Sequence, residues 1–269
     1  MQKVLKNSFD FYIKSSTHVA LSVLALAELT SSIAGLERNI PLLIFIFSSA
    51  LSAYNFIKYF PLFTEQNRTK INTFIFLITI GSFILSLITV FFLPHLVLGF
   101  IVLGGSLVLG YAIPFHKSAS NWRSKKGWKL YLVVLSWLSL TVGVPLAAAE
   151  NFDTLLFVKL VGIQGIYIFV AILPFEIGDL NSDEPNLQTL PQRYGVLRVK
   201  TIGLILLFLG GIMMVFSFGH LSSITICTLF IFFILGILLW KSNKNQSLYY
   251  ARFWVEGIPI LWSLLFYYF

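Results

Sequence analysis

Long runs of apolar residues, separated by short polar segments, account for most of the chain. A hydrocarbon core of about 30 Å needs roughly 20 apolar residues for each helical span, and the sequence offers nine runs of that kind. The pattern predicts an all-α membrane protein with nine transmembrane helices. We place them at residues 17–36, 40–62, 71–93, 95–115, 129–149, 155–176, 199–218, 221–240 and 252–269.

The lysine and arginine residues test this division independently, because short cytoplasmic loops are enriched in them. With the N-terminus in the cytoplasm, every basic residue except Arg38 and Lys159 falls on the cytoplasmic side. We therefore expect a single domain over residues 1–269, in which residues 1–16 form an interfacial segment before the first span. A bacterial inner membrane is the simplest location.

Composition and charge narrow the function classes. The chain is 57% hydrophobic with a net charge of +8, and its mean hydropathy is +0.86. The positive charge belongs to one membrane face, where it would meet anionic lipid headgroups or an anionic substrate. No soluble basic domain exists, which excludes nucleic-acid binding. Cys227 is the one cysteine, so neither a disulfide nor a cysteine metal site is expected.

An acidic cluster follows the sixth predicted span. Four of the 11 acidic residues lie between positions 176 and 184: Glu176, Asp179, Asp183 and Glu184. If this segment is helical, the first three share one face, where like charges repel each other. A cation is therefore expected, and carboxylate ligands without histidine or cysteine suit magnesium. The alternative is a solvated acidic loop that follows a membrane helix.

The residues after the cluster predict a new helix. "TLPQ" at 189–192 has the form of a capping box, with Thr189 as N-cap and Gln192 three residues later. The free amides of such a helix start, beside Arg193, suit a phosphate group. Acidic metal ligands next to an anion-binding helix start predict a diphosphate site.

These residues carry a resemblance to a known family. "EIGDLNSDEPNLQTLPQRYG" at 176–195 resembles the second aspartate-rich motif of the UbiA superfamily of intramembrane prenyltransferases. The segment "YAIPFHKSASNWRSKKGWK" at 111–129 is similar to the tyrosine, proline and basic loop that follow the fourth span in that family. The matching positions of the acidic motif are Asp179, Asp183, Thr189, Leu190, Pro191 and Gly195.

The resemblance implies a fold and a reaction. The nine helices would form a ring around a central cavity that opens toward lipid. The protein would transfer an isoprenoid chain from a prenyl diphosphate to a lipophilic acceptor, an aromatic compound or a quinone precursor. Mg²⁺ would be held by Asp179, Asp183 and Glu176, and the two aspartates would be the catalytic residues.

The first motif of the family is altered in this chain. "YNFIKYFPLF" at 54–63 keeps only Asn55, and Phe56, Tyr59 and Phe63 stand where carboxylates would fall. We hypothesise that Lys58 replaces the first metal ion by contacting phosphate directly. The alternative is that Lys58 extends to the lipid headgroups without a ligand. The expected diphosphate contacts are Asn55, Lys58, Arg123, Lys125, Lys126 and Arg193, although cytoplasmic topology alone explains the basic loop.

Three residues are candidates for an acceptor pocket: Tyr59, Tyr111 and Glu256. A carboxylate inside a membrane helix is costly and often functional, but a structural hydrogen bond is an alternative role for Glu256.

Two other functions remain open. One is a relative that binds a prenyl lipid or quinone without turnover. The other is a transporter with Glu28 and Glu256 as proton-linked groups, which the absence of pronounced mid-membrane Gly/Pro breaks disfavours.

Overall fold

The computed structural model describes residues 2–64, 73–113, 127–184 and 187–269. Within these ranges the chain contains helices and connecting turns and no β-strand. The helices are α1 (Gln2–Lys14), α2 (Thr17–Ile33), α3 (Ile40–Thr64), α4 (Thr73–Val90), α5 (Val97–Ala112), α6 (Trp128–Leu138), α7 (Val144–Ala147), α8 (Thr154–Gly178), α9 (Leu190–Tyr194), α10 (Val196–Phe218), α11 (Ser223–Lys241) and α12 (Ile258–Tyr268).

The helix lengths agree with a membrane protein. Among the described residues, six helices are long and apolar enough to cross a membrane, and α1 with α2, bent by 58°, would make a seventh if the pair is one span. Shorter helices, α5 and α12, occupy the fourth and ninth predicted segments. The chain is thus an all-helical integral membrane protein, whereas the count of nine spans and the side of the N-terminus stay predictions.

Helix α2 lies at the centre of the packing. Leu26 and Leu29 of α2 belong to a large buried cluster with residues of α6, α8, α10, α11 and α12. Ala20 and Val23 belong to a second cluster with residues of α3, α5 and α7. Because one helix contributes to both clusters, α2 holds the two halves of the bundle together.

A polar network fixes α2 to its neighbours inside the bundle. The side chain of Gln164 on α8 is 1% exposed; its Nε2 donates to Thr30 Oγ1 at 2.8 Å and its Oε1 accepts from Thr141 Oγ1 at 2.9 Å. Hydrogen bonds between membrane helices contribute about 0.6–2 kcal/mol each. The network therefore joins α2, α8 and the segment between α6 and α7.

Two π-helical turns interrupt the regular helices. Ser139–Gly143 joins α6 to α7, and Tyr250–Val255 precedes α12. A Cβ atom on Gly143 would lie 2.2 Å from Cδ1 of Phe100, so only glycine lets the Phe100 ring pack against this turn. Turns of this kind occur often at functional sites.

The N-terminal helix α1 packs across one end of the bundle. The ring of Phe9 lies 5.3 Å from Tyr249 and 5.1 Å from Phe253, measured between centroids. The carbonyl of Lys14, the last residue of α1, accepts hydrogen bonds from Lys58 Nζ and from the Tyr59 hydroxyl, both at 2.9 Å. Helix α1 therefore connects the end of α3 to the π turn before α12.

Candidate functional site

The acidic segment forms a tight turn at the end of α8. A 3-10 turn, Asp179–Asn181, follows the helix directly, and the Asp179 carbonyl accepts the backbone N–H groups of Ser182 at 2.9 Å and Asp183 at 2.8 Å. Gln246 Nε2 donates to the Pro174 carbonyl at 2.7 Å and so holds the last turns of α8 from the side. The α-helix therefore does not continue through Asp183, and Asp179 and Asp183 lie on one turn of backbone after its end.

Lys129 at the start of α6 is the partner of this turn. Its Nζ lies 3.0 Å from Oδ2 of Asp183, and the two side chains are only 14% and 10% exposed. The backbone N–H of Gly127 also donates to the Leu187 carbonyl at 3.0 Å. The start of α6 is therefore joined to the acidic loop through both side chain and backbone. From the sequence alone, Lys129 is one more basic residue on the predicted cytoplasmic side.

Glu176 lies beneath the turn and is 2% exposed. Its Oε2 accepts the backbone N–H of Leu190 at 3.3 Å, and its carboxylate interacts electrostatically with Lys129, Asp183 and Asp179. The carboxylate thus connects the end of α8 to the start of α9. In this position Glu176 supports the loop from inside.

Helix α9 carries the predicted capping box. The backbone N–H of Thr189 donates to Gln192 Oε1 at 2.9 Å, and Gly195 follows with a φ of +81°, a conformation that favours glycine. The helix is only five residues long. Because the Leu190 amide is bonded to Glu176, this end of α9 binds a carboxylate of the chain itself in the place where the capping pattern predicts a phosphate.

Arg193 is exposed and lies beside the acidic loop. Its guanidinium carbon is 5.5 Å from the centroid of the Tyr194 ring, and one guanidinium nitrogen lies 3.9 Å from the position that a Cβ on Gly127 would take. Arg193 and Lys129 therefore stand near the same end of α6. The three basic-loop candidates Arg123, Lys125 and Lys126 lie outside the described residues.

The altered first motif is placed on the last turns of α3. Lys58 Nζ and the Tyr59 hydroxyl are both bonded to the Lys14 carbonyl, so these two side chains hold α1. Asn55 is 1% exposed, and within the described part of the chain neither its Nδ2 nor its Oδ1 has a hydrogen-bond partner. An unpaired buried amide of this kind is costly.

The other acceptor-pocket candidates, Tyr111 and Glu256, belong to different elements, and both interact electrostatically with Tyr54 of α3. Tyr111 on α5 is 9% exposed and packs with Leu107, Leu132 and Ile57. Glu256 follows the second π turn, where its carbonyl accepts the Ser22 hydroxyl at 2.5 Å; its carboxylate interacts electrostatically with Lys58 and Arg252. Glu256 therefore lies near the first motif rather than beside the acidic turn.

An apolar space of about 740 Å³ lies between α4 and α5. Helices α3 and α6 form its floor, and Asn55 and Tyr59 are among its lining residues. We call this space the lateral cleft. Neither Glu176, Asp179, Asp183 nor Lys129 lines it. Sequence reasoning could not find the cleft, since hydropathy does not report which helices leave a gap.

Comparison with known proteins supplies one likeness. No protein-family model matches the sequence, and no curated protein matches it. A solved structure, reported for digeranylgeranylglyceryl phosphate synthase in membranes, aligns with a TM-score of 0.59 at 17% sequence identity. The alignment covers 99% of this chain and 98% of that chain. The chain therefore has the fold of that membrane synthase over nearly its full length.

Proposed function

We propose that this protein transfers an isoprenoid chain from a prenyl diphosphate to a lipophilic acceptor inside the membrane. The observation that carries the proposal is the turn Asp179–Asp183, closed by Lys129 at 3.0 Å from Asp183. The fold shared with a synthase of the membrane supports it, as does the likeness of residues 176–195 to the second UbiA motif. In this proposal the turn faces the cytoplasm of a bacterial cell.

The residues of the turn have the chemistry that magnesium requires. Among the described residues, no three His, Cys, Asp or Glu side chains form a group that could hold a metal ion. Mg²⁺ does not need such a cage, because it is usually held by one or two carboxylates together with substrate phosphates. Asp179 and Asp183 would supply these carboxylates. Magnesium would neutralise the charge that develops on the departing diphosphate.

The chain's own residues have separate tasks in this site. Lys129 and Arg193 bring positive charge to the end of α6, where a diphosphate would be stabilised. Glu176 is a positioning residue, because its hydrogen bond to Leu190 fixes the loop that carries the aspartates. In the reaction the bond between C1 of the isoprenoid chain and the diphosphate oxygen breaks, and its electron pair leaves with the diphosphate. The acceptor atom then forms the new bond and loses a proton to water or a nearby base.

Binding without turnover is the second candidate function. It is favoured by Lys58 and Tyr59, which stand in the altered first motif and are both engaged with the Lys14 carbonyl. A protein of this kind would hold a prenyl diphosphate or quinone but would release no diphosphate. The two functions therefore differ in one measurable product.

Release of diphosphate tests the proposal. Protein in nanodiscs is given geranylgeranyl diphosphate and a panel of hydroxylated aromatic acceptors, with magnesium or with a chelator. We expect magnesium-dependent release that is lost in Asp179→Ala and retained in Glu184→Gln, a matched change of an exposed carboxylate in the same loop. Binding of the donor with no release for any acceptor would support the second function, and no binding of the donor would overturn prenyl transfer.

A further inference from the structure

The lateral cleft runs along most of the depth of the bundle. Helix α4 packs mainly on α3, while α5 packs on α3 and α6, so the gap between α4 and α5 opens sideways. On α3 its lining extends from Phe45 to Tyr59, which at 1.5 Å per residue is about 21 Å. This length suits a molecule that enters from the bilayer and keeps its long axis across it.

Asn55 is the polar group of the cleft that lacks a partner. The neighbouring hydroxyls of Ser52 and Ser139 donate to carbonyls of their own helices, at 3.0 Å and 2.9 Å. The Asn55 amide, in contrast, is 1% exposed, and both of its polar atoms are unpaired in the part of the chain that the structure describes. Buried polar groups normally have a partner, so the Asn55 amide is able to hydrogen-bond a ligand in the cleft.

The charge around the cleft indicates what kind of ligand fits. Among the described residues, none of those that line the cleft is charged. Lys58, one turn after Asn55, is bonded to the Lys14 carbonyl, and so is the Tyr59 hydroxyl. The acidic turn and Lys129 lie outside the lining. The described lining residues therefore offer a diphosphate no counter-charge, whereas a neutral hydroxyl can both accept from Nδ2 and donate to Oδ1 of one amide.

We infer that the lateral cleft binds an uncharged, hydroxyl-bearing lipophilic molecule, with its hydroxyl on Asn55 and its apolar part between α4 and α5. Resting on the proposed function, this occupant is the acceptor, and Asn55 serves it instead of the diphosphate. The donor's charged end and the acceptor thus have separate sites. The acceptor reaches its site from the bilayer through the gap beside α4.

A matched pair of probes tests the hydrogen bond at Asn55. In the methyl ether of tritiated 4-dodecylphenol a methyl group replaces the hydroxyl proton, and the binding of both probes to protein in nanodiscs is measured against empty nanodiscs. We expect the wild-type protein to bind the phenol about tenfold more tightly than the ether, as one hydrogen bond to a buried group allows. Asn55→Leu should bind the two probes equally. An unchanged preference for the phenol in this variant would overturn the inference.

Two glycines on α5 test whether the cleft is the site. A Cβ on Gly105 or on Gly99 would meet no atom within 4 Å, so the backbone at either position can carry a side chain without a clash at Cβ. Gly105 lines the cleft, and Gly99 does not. Gly105→Phe should weaken binding of both probes at least tenfold, while Gly99→Phe should bind them as the wild type does. If Gly105→Phe and Gly99→Phe bind the probes equally, the probes bind outside the cleft and the inference is wrong.

The outcomes for the cleft and for the proposed function are separable, because diphosphate release is measured on the same preparations. If Asn55→Leu abolishes the preference for the phenol but the wild type releases no diphosphate, the result supports the cleft site and contradicts prenyl transfer. If diphosphate is released but the phenol preference does not depend on Asn55, the result supports prenyl transfer and contradicts the cleft site.

Discussion

Lys129 and Asp183 are 54 positions apart in the sequence, yet their side chains meet at 3.0 Å. The pair joins the start of α6 to the loop after α8, and both side chains are largely buried. An ammonium in this place neutralises one carboxylate of the acidic turn when no metal is bound. If the turn binds magnesium as proposed, Lys129 would occupy part of the position that the cation takes.

Replacing Lys129 should destabilise the protein chiefly in the absence of magnesium. Lys129→Met leaves the Asp183 carboxylate without its partner, at a cost of about 1.5–3 kcal/mol for a charged hydrogen bond. We expect a lower thermal midpoint in a chelator, and recovery of most of the loss when magnesium is added. Lys244→Met, a change of an exposed lysine, is the control. A loss that magnesium does not reduce would argue against a shared cation position.

Replacing Glu176 with an amide side chain should preserve diphosphate binding, whereas replacing it with an apolar side chain should not. Glu176→Gln keeps an oxygen that can accept the Leu190 N–H, whereas Glu176→Leu leaves that amide unpaired and releases the loop. We expect the first variant to bind geranylgeranyl diphosphate within about threefold of the wild type, and the second to lose at least tenfold. If both variants lose magnesium-dependent binding equally, Glu176 is a metal ligand and not a positioning residue.

Lys58 and Tyr59 should matter for the attachment of α1 rather than for phosphate affinity. Their two hydrogen bonds to the Lys14 carbonyl contribute about 1 kcal/mol each. Lys58→Met with Tyr59→Phe should raise the maleimide labelling rate of a cysteine placed at Ile13, a buried position of α1. Cysteine at Asn7, already exposed, is the control. A large fall in diphosphate affinity in Lys58→Met would instead favour the hypothesis that this lysine replaces the first metal ion.

The polar network inside the bundle should contribute to stability. Gln164→Leu removes the partner of both Thr30 and Thr141, at a cost of about 1–3 kcal/mol. A triple variant that also carries Thr30→Val and Thr141→Val removes the two hydroxyls that Gln164→Leu leaves unpaired. It should recover part of the lost stability. Thermal midpoints of the three proteins in one detergent check this. A triple variant less stable than Gln164→Leu would show that the hydroxyls act through other contacts.

The sequence predicts the helical framework well because membrane helices follow hydropathy. Helix α8 ends at Gly178, two residues beyond the predicted end at 176, and the capping box at Thr189 occurs where expected. The π turns Ser139–Gly143 and Tyr250–Val255 are absent from the prediction. A π turn depends on tertiary packing, such as that of Phe100 on Gly143, and its local change of helical period is not visible in segments as apolar as these.

Less of the candidate site could be predicted. Asp179 and Asp183 are only four positions apart in the sequence, so their proximity follows directly from that spacing. Lys129 comes from another helix, and only packing of α6 against α8 brings it to Asp183. The roles of Lys58 and Tyr59 depend on where α1 ends in space. The gap between α4 and α5 depends on which helices pack together, and a single sequence carries no signal for that.

The most direct test of the account is equilibrium binding of geranylgeranyl diphosphate to the purified protein, with and without magnesium, beside an Asp179→Ala/Asp183→Ala variant. We predict magnesium-dependent binding that the double variant loses and that Glu184→Gln retains. Binding that is independent of magnesium, or equal in the wild type and the double variant, would contradict a diphosphate site at the acidic turn.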